Sequence, residues 1–160
     1  MRKRSKYRPK GVRLDTIGYV MESIKPVASH NSYLLDLKIK NSEAMVALMQ
    51  GSATRADMDT LIAMSNIVEA LYRLGFGKEY MDVAIDGREA LLQIVHRAVE
   101  IKRFVPTAEQ IKALHALMDL HDAQMDVITI KDMERALALA KTELANKRAT
   151  VLPKVEVASV

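Results

Sequence analysis

Polar and apolar positions in this chain fall into helical blocks, punctuated by a few glycines and prolines. The clearest block is Thr54–Gly75, TRADMDTLIAMSNIVEALYRLG. At about 100° per residue, Asp59, Asn66, Glu69 and Arg73 share one narrow polar stripe. Met58, Leu61, Ile62, Met64, Ile67, Val68, Leu71, Tyr72 and Leu74 cover most of the remaining circumference. A helix that is apolar nearly all round is a buried one, so the pattern predicts the central helix of a bundle. Thr54 suits the N-cap, and Asp57 and Asp59 put negative charge where the helix dipole favours it. Gly75 suits a left-handed C-terminal closure. If the apolar surface of this helix exceeds what one chain can cover, a homodimer would hide the excess.

The other blocks arrange themselves around it. Asp15 can open a short helix to about Ile24, with Ile17, Val20, Met21 and Ile24 on one face, and Pro26 closes it. A second helix is expected from about Asn31 or Ser32 to Gln50, with Gly51 as its stop. Its segment YLLDLKIK alternates somewhat like a strand, but no partner strand follows. A third runs over Lys78–Phe104, lined by Leu91, Ile94, Val95, Ala98 and Ile101. Gly87 inside it marks either a kink or a division near Arg88, since glycine costs about 1 kcal/mol in a helix interior. Thr107 and Gln110 form a capping box for a last helical region reaching about Lys147. The β-branched run Val127-Ile128-Thr129-Ile130 is its weakest part, and Thr129 can recap a separate helix there. Residues 148–160 are expected to be disordered. The fold class is therefore all-α: a single bundle domain over 15–147, of five or six helices.

Composition agrees. The chain has 160 residues, 10 of them Met and only 7 aromatic, which suits an aliphatic helical core. With 4 prolines and 6 glycines there is little punctuation for a many-stranded sheet. The absence of cysteine removes disulfides, thiolate metal sites and thiol nucleophiles, and fits a cytoplasmic protein. No run approaches the 18 or so apolar residues that span a bilayer, and no h-region follows the basic start.

Charge changes the picture more. The net +4 divides unevenly: 7 of 24 basic residues and none of the 20 acidic ones lie in residues 1–13. The remaining chain carries 17 basic and 20 acidic groups, a net of −3. The sequence reads as a mildly acidic body with a flexible basic arm over residues 1–14. Arg2, Lys3, Arg4, Lys6, Arg8, Lys10 and Arg13 can neutralise phosphates and release counterions, and Tyr7 can stack on an unpaired base. DNA or RNA is the expected partner. An acidic protein, or a tail serving solubility alone, is the other reading. The arm offers no amphipathic face for a membrane.

Candidate chemistry is sparse. His121 lies near Leu114, Leu117 and Met125 by angle, which favours a structural histidine over a ligand. There is no Glu-x-x-His of the di-iron bundle type. His115, Asp119 and Asp122 have suitable spacing but lie off the apolar face, and His96 sits on a polar one. Gly75-Phe-Gly77-Lys78 lacks Walker spacing and reads as a helix–helix turn. No G-x-S-x-G occurs, and Asp57/Asp59, Asp82/Asp86 and Asp119/Asp122/Asp126 read as solvated faces. The expectation is a protein without catalytic residues, cofactor or metal.

The order of MRKRSKYRPK, DMDTLIAMSNIVEALYRLGFG and LHDAQMDVITIKDMERAL resembles small helical proteins encoded in proteobacterial prophages and mobile elements. The resemblance spans most of the chain and carries no site motif. It implies a cytoplasmic accessory or regulatory protein of a phage or prophage, with a host or phage protein as a further partner. The alternative reading is a helical protein–protein adaptor or inhibitor that oligomerises.

Overall fold

The computed structural model describes residues 16–29 and 31–153. It contains six α-helices: α1 (Thr16–Ser23), α2 (Asn31–Met49), α3 (Arg55–Leu74), α4 (Met81–Ile101), α5 (Ala108–Val127) and α6 (Ile130–Ala145). Short 3₁₀ turns, Val27–Ser29 and Lys78–Tyr80, lead into α2 and α4. No strand occurs among the described residues, and the chain is an all-α bundle.

Side-chain chemistry sets the helix boundaries. Thr54, Thr107 and Thr129 each cap a helix by accepting from the backbone N–H three residues on. Asp57, Gln110 and Asp132 return the bond to the cap's own N–H. Each box satisfies two amides that a helix start otherwise leaves orphaned. Gly75 ends α3 with φ 107°. The β-branched run does break the last helical region into two. Ile128 is extended at φ −86°, ψ 156°. Its neighbours pair with the α1–α2 connector: Val27 N–H donates to Ile128 O and Ile130 N–H to Lys25 O, both at 3.0 Å.

The central position of α3 is confirmed: it packs on α2, α4, α5 and α6. Ile62 is 4% exposed, and Val68 and Leu71 are fully buried. The larger core cluster joins Met45 and Leu48 of α2, Met58 and Leu61 of α3, Leu91 and Ile94 of α4, and Leu114 and Leu117 of α5. A smaller one gathers Leu71, Met125, Ile128, Met133 and Ala136 around Val27 and Leu34. One chain therefore covers most of the apolar circumference of α3, with Ile67, Tyr72 and Leu74 partly buried.

Two expectations are corrected. Gly87 does not divide α4, which is continuous over Met81–Ile101; it lets α5 approach. A Cβ on Gly87 would sit 2.7 Å from Leu117 Cβ. Second, the chain beyond α6 is not frayed over residues 148–153. It runs back across α3, with Leu152 buried in the larger core. Val20 and Met21 of α1, and Ile24 just after it, are all exposed. On α2, an apolar row of Leu35, Ile39, Val46 and Met49 is exposed as well.

Candidate functional site

The expected nucleic-acid-binding residues Arg2, Lys3, Arg4, Lys6, Tyr7, Arg8, Lys10 and Arg13 lie outside the described residues, as does His30. What the structure does place is the anchor of the chain that follows the arm. The Lys25–Val27 segment is bonded antiparallel to the α5–α6 corner at Ile128–Ile130.

The largest polar assembly in the body lies on the stripe of α3. Glu69 pairs with Arg73 at 2.5 Å and with Arg88 of α4 at 3.2 Å. Arg73 reaches on to Glu143 of α6 at 3.0 Å, and Glu143 to Arg148 at 3.1 Å. Five charges thus alternate along a ladder that ties α4, α3, α6 and the C-terminal segment together. The hydrogen bond that Arg73 donates to Glu143, with help from Glu69, raises the Arg73 pKa against the opposing effect of burial. Below the ladder, Asn66 Nδ2 donates to Thr150 O at 2.9 Å, and Thr150 N–H donates to Asn66 Oδ1 at 3.2 Å. Arg55 donates to the carbonyls of Pro153 and Leu152. The sequence marked this stripe as polar; its covering by the chain's own segment had no signal beyond an asparagine in an apolar helix.

A cleft of about 260 Å³ beside the ladder is lined by Ser65, Tyr72, Arg73, Met81, Ile85 and Arg88. Both guanidinium groups there already face Glu69, and Tyr72 OH donates to Met81 Sδ at 3.1 Å. The arrangement is a structural clamp. An incoming anion would have to displace a carboxylate.

Two donors of the Gly75–Lys78 turn are also committed. Gly75 N–H bonds Tyr72 O at 2.9 Å, and Phe76 N–H bonds Leu71 O at 3.0 Å. These amides end α3, whereas a phosphate cradle needs them free. Gln124 closes the turn from α5 by donating to Phe76 O at 3.0 Å and Val68 O at 3.4 Å. Sequence reasoning missed Gln124, a buried amide on a helix face that looks unremarkable in the one-dimensional pattern.

His121 is 1% exposed, as its helical position predicts. Its Nδ1 lies 3.4 Å from Asp122 Oδ1, and its buried Nε2 has no hydrogen-bond partner. Burial lowers its pKa, with Asp122 opposing and Lys38 adding to the effect. His96 and His115 are exposed. Among the described residues, no group of three or more His, Asp or Glu could hold a metal ion. Asp57 is committed to its cap, while Asp122 and Asp126 face Lys38 at 3.5 and 4.0 Å. No helix among the described residues is long and apolar enough to cross a membrane. No protein-family model, curated protein or solved structure matches the chain.

Proposed function

We propose that this is a non-enzymatic accessory or regulatory protein of the phage or prophage type that contacts DNA or RNA through its basic N-terminal arm. The observation that carries the reading is the partition of charge, seven cations in residues 1–13 against a net −3 on the rest. An acidic body repels a polyanion, so association depends on the arm. The contacts are to phosphates through Arg2, Lys3, Arg4, Lys6, Arg8, Lys10 and Arg13, with little sequence preference, and Tyr7 adds stacking on single strands.

The test is a salt titration of full-length protein and a variant lacking residues 2–10, on single- and double-stranded probes. If about five phosphates are neutralised, log K falls with log[salt] at a slope near −4 to −5 on duplex DNA. The deletion abolishes retention and leaves the melting temperature unchanged. Tyr7→Ala weakens single-strand binding by about 1–3 kcal/mol and leaves duplex binding nearly intact. Equal affinity of the two proteins at low salt removes the arm from the mechanism. The second reading is a protein–protein adaptor, favoured by the exposed apolar row on α2. Absence of binding at about 50 mM salt, where phosphate contacts are strong, turns the assignment to it.

A further inference from the structure

The exposed apolar residues of α2 form a heptad seam. Leu35, Ile39, Ser42, Val46 and Met49 follow one another at intervals of four, three, four and three residues. Leu35 is 58% exposed, and Ile39, Val46 and Met49 are each 43% exposed. The buried face of the same helix, Leu34, Asn41, Ala44, Met45 and Leu48, lies roughly 130° around the axis. The bundle therefore leaves the seam open on the outside of a helix that it already holds folded.

The residue types on this seam are informative. The spacing puts Ile39 and Val46 at a positions, and Leu35, Ser42 and Met49 at d. β-Branched side chains at a with leucine at d favour a parallel two-stranded coiled coil; Ile39 and Val46 meet the first condition, and of the d residues Leu35 alone meets the second. The flanking positions then take defined roles. Lys38 falls at g, while Asp36, Glu43 and Gln50 fall at e. In a parallel pair, each g residue faces the e residue five positions on in the partner. That register sets Lys38 of one chain against Glu43 of the other, twice by symmetry. An antiparallel pair centred on Ser42 would instead bring the two Glu43 carboxylates together. Lys38 is only partly covered, lying 3.5 and 4.0 Å from Asp122 and Asp126 of its own chain.

We infer that α2 is a self-association surface whose occupant is a second copy of this chain, with the two α2 helices parallel about a two-fold axis. The seam is about 21 Å long, which keeps the interface at or below the roughly 1,200 Å² of the smallest stable complexes. Ser42 at the middle d position thins it further. The pair is a weak, concentration-dependent dimer. It is independent of the arm and of any nucleic acid.

Sedimentation equilibrium of nuclease-treated, full-length protein from about 1 to about 500 μM, the range in which weak interfaces dissociate, reads the association. The expected result is a monomer–dimer equilibrium. It weakens about 100-fold or more in Ile39→Glu/Val46→Glu, a change equivalent to two tenfold steps, while helix content and melting temperature stay the same. Lys38→Glu and Glu43→Lys each weaken the dimer, and the double variant K38E/E43K restores it. The chain has no cysteine of its own, so Met49→Cys gives a clean orientation test. A parallel pair sets residue 49 against its copy, within the Cα spacing a disulfide needs, and the variant cross-links on oxidation. An antiparallel pair leaves the two thiols about 20 Å apart. A monomer throughout the range, a dimer that survives Ile39→Glu/Val46→Glu, or a Met49→Cys protein that does not cross-link overturns the proposal. A monomer would leave the seam to a different protein.

Discussion

Gly87 and His121 show how single positions fix this bundle. Alanine usually gains about 1 kcal/mol over glycine inside a helix. At Gly87 the gain is outweighed, because the added methyl meets Leu117 Cβ at 2.7 Å and Cδ2 at 2.8 Å. Overpacking of this kind costs about 1–3 kcal/mol. Gly87→Ala is therefore expected to lower stability by about 1 kcal/mol in denaturant melts, with Leu117→Ala restoring part of the loss in the double variant. His121 acts through protonation. Burial depresses its pKa in the folded state, so the unfolded chain takes up a proton that the folded one refuses. Stability is fully present above the unfolded value, about 6.5, and falls as pH drops below it towards the folded pKa. Melts at descending pH should show this slope in the native protein and a shallower one in His121→Gln. Identical slopes would mean that the imidazole is not the group responsible.

Among the elements, α3 is the one whose removal the others cannot absorb. Leu71 is fully buried in the smaller cluster, and Leu71→Ala should cost about 2–5 kcal/mol, the range for a buried leucine. A loss under 0.5 kcal/mol, the size of an ordinary surface substitution, would contradict the central role of α3. The elements were also the most legible level. Threonine with an acid or amide three residues on marks all three capped starts, because the chemistry of a capping box is local. The apolar circumference of α3 foretold its burial for the same reason. Gly87 was not legible as a close approach, since its meaning depends on Leu117, which is far away in sequence. The packing of residues 148–153 was hidden likewise. Nothing in the segment itself announces that Asn66 will bond to Thr150.

At the scale of the whole molecule, the anticipated site and the described body separate. The arm is legible in the sequence as a concentration of charge alone, and its residues lie outside the described ones. The seam on α2 became meaningful only once the bundle had settled which face it buries. The body itself is closed by contacts of long reach. The Asn66–Thr150 bonds span 84 residues, whereas neighbouring helices pair across short turns. Contacts that close long loops bear a larger entropic cost, and segments held mainly by polar bonds open first. Asn66→Ala removes both bonds and should therefore speed amide exchange at Thr150 by about tenfold or more, at roughly 1 kcal/mol per ordinary hydrogen bond, and leave Val68 protected. Equal acceleration at both amides would mean that the segment and α3 open as one unit. If they open separately, the cheapest breathing motion of this protein bares Asn66, Glu69 and Arg73, groups that water solvates well. Among the described residues of the segment, Leu152 is the one that leaves the core with it. A partly open chain of that kind offers little for other chains to stick to, so transient opening at this end carries a low risk of aggregation.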